Sequence, residues 1–164
     1  MKRVTEGDEG TDSTLSTVSR VVGVGASAGG LEALQEFLGA LTPDGSAIIV
    51  AQHLAPDHPT LLVELLSRAT PFEVEEAVDG SPLRTNSVTV VPPNHDLTLV
   101  GDRLALVEAA ERVGPSPSID LLFESLAQSC GARAVGVVLS GTGSDGARGL
   151  LAIRAAGGLT MVQL

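Results

Sequence analysis

Gly23-Val24-Gly25-Ala26-Ser27-Ala28-Gly29-Gly30 follows the short apolar run Arg20-Val21-Val22 and precedes a helical pattern that starts at Leu31. The stretch predicts a strand, a tight turn and a helix, because glycine clusters punctuate apolar runs at sharp turns. Two chemistries suit such a turn. Read as G-x-G-x-x-x-G, it brings a backbone close to a phosphate at a helix N-terminus. Read as Gly25-Ala26-Ser27-Ala28-Gly29, it matches G-x-S-x-G, the elbow that lifts a serine hydroxyl above a sheet edge. On that second reading the glycines clear room around Ser27 for a substrate.

Outward from this turn, apolar runs alternate with helical patterns. Leu31, Leu34, Phe37, Leu38 and Leu41 recur at helical spacing, and Ala47-Ile48-Ile49-Val50-Ala51 is a continuous apolar strand. A loop at Gln52-His53-Leu54-Ala55-Pro56 leads to a helix through Leu61, Leu62, Leu65 and Leu66, with Pro59 suited to its first turn. Phe72-Glu73-Val74 is a weaker strand. Between Asp79 and Val107 the texture changes to short strands, Ser87 to Val91, Leu97 to Val100 and Leu104 to Val107. The last two read as a hairpin on Gly101-Asp102, and the whole stretch reads as an antiparallel insertion or sheet edge. Ser118 suits the N-cap of a helix from Ile119 to Cys130, Ala134 to Leu139 is a buried strand, Leu150, Leu151 and Ile153 lie on a helix ended by Gly157-Gly158, and Leu159 to Val162 starts another strand.

This order predicts an α/β fold: a doubly wound, mostly parallel sheet with helices on both faces and an antiparallel hairpin at one edge, Rossmann-like and three-layered. Residues 1–19, polar and without periodicity, read as a tail or linker, and 20–164 as the domain. A hydrophobic share of 43% and mean hydropathy of +0.29 suit a packed core, which must be aliphatic because aromatics make up 2%. The net charge of −10 argues against a nucleic-acid partner, since phosphate binding needs clustered Lys and Arg. One cysteine, Cys130, forms no internal disulfide, no metal-ligand spacing is present, and no apolar run has membrane-spanning length. A soluble cytoplasmic protein with no cofactor and no membrane insertion is the expectation.

In doubly wound sheets the site lies beyond the carboxyl ends of the strands, which selects the loops holding Ser27, His53 and Asp145. A hydroxyl needs a base to become a nucleophile, an imidazole can supply one near neutral pH, and a carboxylate can orient that imidazole. Taken singly the residues are ordinary: Ser27 and Asp145 each suit the N-cap of the helix that follows, and His53 suits an exposed loop. His58 and His95 are rival bases, the first at a helix entrance and the second in a turn beside Asn94. Cys130 reads as packing. The dinucleotide reading lacks its ribose-binding acid, because Ala51-Gln52-His53 stands where that acid should end the second strand.

Val22 to Gly30, Gln52-His53, Pro117-Ser118-Ile119-Asp120 and Gly141-Thr142-Gly143-Ser144-Asp145-Gly146 together resemble the bacterial chemotaxis protein-glutamate methylesterases, from about Arg20 to Leu164. The resemblance implies hydrolysis of glutamate γ-methyl esters on the cytoplasmic helices of methyl-accepting chemoreceptors, with some glutamine deamidation. It implies Ser27, His53 and Asp145 as the catalytic residues and a backbone N–H near Thr142 as an oxyanion donor. Ala28 replaces a threonine frequent in the family, and Thr142 replaces a frequent methionine. Pro92-Pro93-Asn94-His95-Asp96 resembles versions fused to a methyltransferase, so a receiver or methyltransferase domain acting in trans is a candidate partner. Family domains continue beyond the strand of Met161, so a shortened C-terminal end is expected, as is a domain with no receiver before residue 20. Two other readings stay open: an inactive receptor-binding module of the same fold, and a nucleotide site at the glycine turn.

Overall fold

A strand can be apolar throughout only if both faces of its sheet are covered, and the central strands here meet that condition. In the computed structural model, which describes residues 17–53, 61–109, 113–140 and 143–163, six strands form one sheet. They are β1 (Val21–Ala26), β2 (Ala47–Gln52), β3 (Glu73–Glu76), β4 (Ser87–Val90), β7 (Ala134–Leu139) and β8 (Leu159–Val162). Their order is β3-β4-β2-β1-β7-β8, and every neighbouring pair is parallel. The helices are α1 (Leu31–Gly39), α2 (Leu62–Ser67), α3 (Ile119–Cys130) and α4 (Ala147–Ala155). The expected α/β architecture is therefore the observed one.

Alternation along the strands divides the core. Val24, Ile48, Val50, Val135 and Val137 pack with Leu34 and Leu38 of α1 and Leu62 and Leu66 of α2. Ile49, Ala51 and Ala134 face the opposite way, toward Phe123 and Leu126 of α3 and Ile153 of α4. Gly23 and Gly25 of the opening stretch belong to this second face. A Cβ on Gly23 would lie 2.7 Å from Leu126 and 2.8 Å from Phe123, and one on Gly25 would lie 2.6 Å from Ile119. These two glycines thus seat α3 on the sheet; they do not clear space around Ser27 as the sequence reading expects. Gly29, with φ of +92°, and Gly30, whose N–H bonds Ser27 O and where a Cβ would lie 3.1 Å from that oxygen, serve the turn itself.

The segment from Asp79 to Val107 also departs from expectation. β4 is a parallel strand inside the main sheet, between β2 and β3, and not part of an antiparallel insertion. The connection from β3 to β4, residues 77–86, carries no helix, so the usual sign of a parallel crossover is missing from the sequence. The connection bonds instead to a hairpin, through Leu104 N–H to Ser81 O and Leu83 N–H to Asp102 O. That hairpin, β5 (His95–Val100) and β6 (Arg103–Glu108), turns on Gly101-Asp102 as expected but forms its own two-stranded sheet against α3. Two α3 serines satisfy its edge: Ser125 Oγ accepts from Leu99 N–H at 2.9 Å, and Ser129 Oγ donates to Leu99 O at 2.8 Å.

At the start of the domain, Val18 packs against the core and Ser19 N–H bonds Gly45 O, so the chain is tied to the domain before residue 20. The rest of the expected tail lies outside the described residues. No described helix is long and apolar enough to cross a membrane.

The close seat of α3 makes Gly23→Ala costly. Overpacking against Phe123 and Leu126 should lower unfolding stability by about 1–3 kcal/mol, read as a lower urea midpoint at unchanged slope. An unchanged midpoint would refute the packing role given to Gly23.

Candidate active site

The strand order reverses at β1, whose two neighbours are β2 and β7, and a crevice opens there beyond the carboxyl ends of these strands. Ser27 follows β1, His53 follows β2, and Asp145 lies past the end of β7. All three line one cavity of about 700 Å³, together with Ser118, Asp120 and Arg148.

His53 N–H donates to Ala26 O at 2.9 Å, extending the β1–β2 ladder by one step and fixing where the imidazole starts. The ring then bonds Asp145 Oδ2 through Nε2, at 2.9 Å. An ionised carboxylate only accepts hydrogen bonds, so Nε2 is the protonated nitrogen and Nδ1 keeps its lone pair in the neutral ring. The two side chains are 18% and 11% exposed, which limits competition from water.

Asp145 is held by more than His53. Its Oδ2 accepts Ile119 N–H and its Oδ1 accepts Asp120 N–H, each at 2.9 Å. Sequence reasoning expects Asp145 to cap the helix that follows it; the structure has it cap the start of α3 instead. The N-cap of α4 is Gly146, which makes no side-chain cap. Gly146 has φ of +100°, and a Cβ there would lie 2.9 Å from Ile119, so only glycine allows the chain to turn here. The other α3 amides are also satisfied: Leu121 N–H by Ser118 Oγ at 3.2 Å, and Leu122 N–H by Ser118 O. Ser118 is thus the cap that its position predicts. Ser118 N–H is itself bonded to Asp96 Oδ1, a buried carboxylate on β5, at 2.7 Å.

Burial pushes the Asp145 carboxyl up, but the bonds from His53, Ile119 N–H and Asp120 N–H outweigh it and leave it below its ordinary value of 3.8. The positive end of α3 favours the same anionic form.

Ser27 is not a helix cap either. The N-cap of α1 is Gly30, without a side-chain bond, and the Ser27 hydroxyl donates to Ser140 O at 2.9 Å. Ser140 sits just past β7; nothing in the sequence marks its carbonyl as the resting partner of Ser27. Of the rival histidines, His95 begins β5 and bonds Pro93 O through Nδ1 at 2.8 Å, away from the cavity, and His58 lies outside the described residues. Thr142 lies outside them as well. Cys130 is buried, and burial raises its thiol above the ordinary value, in keeping with a packing role. No group of His, Cys, Asp and Glu among the described residues could hold a metal ion.

A family model described as CheB methylesterase matches residues 22–164. Among curated proteins, the chain is 37% identical over 147 residues to the protein-glutamate methylesterase/protein-glutamine glutaminase 2 of Syntrophomonas wolfei subsp. wolfei, covering 87% of this chain and 43% of that protein. It is likewise 37% identical over 153 residues to the protein of the same name from Pseudomonas aeruginosa, covering 91% of this chain and 44% of the other. The chain thus spans less than half the length of these relatives. In structure it is similar to the crystallised CheB methylesterase catalytic domain of Thermotoga maritima, with a TM-score of 0.75 at 23% identity, over 87% of this chain and 78% of that one.

The Asp145 geometry sets a pH dependence. A carboxyl lowered in the folded state stabilises the fold above its unfolded pKa, and that stabilisation fades as pH falls through the folded value. Asp145→Asn should therefore cost about 1–3 kcal/mol at pH 7. The deficit should shrink progressively as pH falls below the ordinary carboxyl value of 3.8, as read from urea midpoints across an acid series. A deficit independent of pH would contradict the charged-cap account.

Proposed function

The chain belongs to the CheB methylesterase family, and from that premise we propose that it is a serine hydrolase acting on glutamate γ-methyl esters of chemoreceptors. The observation that carries the reading is the 2.9 Å bond from His53 Nε2 to Asp145, at the wall of a cavity that Ser27 also lines. It leaves His53 Nδ1 as the basic nitrogen of the neutral ring.

In the proposed cycle Ser27 turns its hydroxyl from Ser140 O toward His53 Nδ1. Its proton passes to Nδ1 as Oγ attacks the ester carbonyl carbon, and the carbonyl oxygen takes up negative charge. Asp145 stabilises the imidazolium by charge and keeps the ring in register. The anionic intermediate collapses, the bond to the methoxy oxygen breaks, and Nδ1–H protonates that oxygen so that methanol leaves. Water then gives a proton to Nδ1 and adds to the acyl-enzyme carbonyl; the proton returns to Ser27 Oγ, releasing a glutamate carboxyl that ionises. With a glutamine side chain the leaving group is ammonia, and the remaining steps are unchanged. A backbone N–H at Thr142 is the proposed oxyanion donor; such a donor acts through its fixed direction, so the departure from methionine there matters little.

The proposed substrates are the cytoplasmic helices of methyl-accepting chemoreceptors, which puts the reaction on the cytoplasmic side. A receiver or methyltransferase domain in trans is the proposed regulatory partner.

Methanol release from methylated receptor tests the assignment. Ser27→Ala should lower turnover by about 10³-fold or more, with His53→Ala comparable. Equal release by Ser27→Ala and the unaltered chain would overturn the nucleophile. Receptor binding with no turnover above the Ser27→Ala level would point to the inactive binding module.

A further inference from the structure

Arg148 is the single Lys or Arg among the described residues that line the cavity. It occupies the first turn of α4, where the helix dipole disfavours a cation, so helix stability does not explain its placement. Its Nε donates to Glu124 Oε1 of α3, which fixes the guanidinium plane. No described residue bonds Nη1 or Nη2, and the side chain is 69% exposed. A guanidinium held at one edge presents its terminal nitrogens as a fork that matches a carboxylate.

The other charged groups of the cavity are already engaged. Asp145 serves His53 and the α3 amides, and Asp120 Oδ1 accepts Gly149 N–H at 2.7 Å. Both are acidic, and the chain carries a net charge of −10, so an acidic polypeptide is repelled by the body as a whole. Arg148, although ion-paired to Glu124 and facing Asp120 and Asp145, is the one Lys or Arg lining the cavity among the described residues, so that repulsion is weakest beside it.

We propose that Arg148 is a specificity-determining residue that grips the carboxylate of an acidic residue flanking the ester in the substrate polypeptide. The inference rests on the hydrolase reading above and deepens it. Arg148 lines the same cavity as Ser27, His53 and Asp145. The guanidinium therefore borders the space in which the ester would sit. The ester itself is neutral and offers only a carbonyl oxygen, whereas a flanking carboxylate offers two charged acceptors in the geometry of the fork.

Two synthetic peptides provide the test, each with one central glutamate γ-methyl ester, flanked in one case by glutamates and in the other by glutamines. The readout is the ratio of kcat/KM for the acid-flanked peptide to that for the neutral one, from methanol release at low salt. Arg148→Ala should lower the ratio by about tenfold, chiefly through KM, and Arg148→Lys should restore part of it. Raising NaCl to about 0.5 M should shrink the ratio of the unaltered chain. An unchanged ratio in Arg148→Ala, with its circular dichroism that of the unaltered chain, would overturn the proposal. Binding separates this outcome from failure of the hydrolase reading. Ser27→Ala and Ser27→Ala/Arg148→Ala are titrated with both peptides by fluorescence anisotropy. Loss of the Kd preference in the double variant supports the Arg148 contact even where no ester is turned over, and retention of the preference contradicts it even where turnover is clear.

Discussion

The N-terminal amides of α3 are the constraint on which the site depends. A helix start leaves its first N–H groups without intrahelical partners, and buried groups of this kind must find acceptors elsewhere. Here Ile119 and Asp120 donate to the two oxygens of Asp145, and Ser118 takes Leu121 and Leu122. Asp145 thereby loses its freedom to rotate and gains a reason to stay charged. His53 then has a fixed anionic acceptor for Nε2. The orientation of the base follows from a capping requirement.

That requirement links the site to the core. α3 reaches Asp145 only because it lies close on the sheet, and it lies close because Gly23 and Gly25 give up their side chains beneath Phe123, Leu126 and Ile119. The hairpin presses on the outer side of the same helix through Leu97 and Leu99, and Asp96 holds the backbone just before it. A glycine pattern that resembles a phosphate cradle in sequence is thus a seat for a helix. Its effect on chemistry passes through α3 to a residue far along the chain.

Much of this was legible beforehand. Continuous apolar runs at residues 47–51 and 134–139 demanded a sheet covered on both faces, and the strand-end rule brought Ser27, His53 and Asp145 to one edge. The parallel placement of β4 was not legible, because residues 77–86 cross over without a helix and leave no periodic trace. The true partners of the capping residues were hidden for a different reason. Local sequence suggests that Ser27 and Asp145 cap the helices they precede, while in the fold Asp145 caps α3 and Ser27 bonds Ser140 O. Bonds between residues so distant in the chain have no signature at either end. Arg148 was equally silent, since a single arginine on a helix is unremarkable until the cavity beside it is known.

Asp145 holds His53 in one tautomer, with the proton on Nε2 and the lone pair on Nδ1. Long-range proton–nitrogen correlation spectra of the imidazole, recorded on the ¹⁵N-labelled chain at a pH where His53 is neutral, measure this directly. A protonated Nε2 and an unprotonated Nδ1 are expected, with that preference weakened in Asp145→Asn. A neutral His53 carrying its proton on Nδ1 would contradict it.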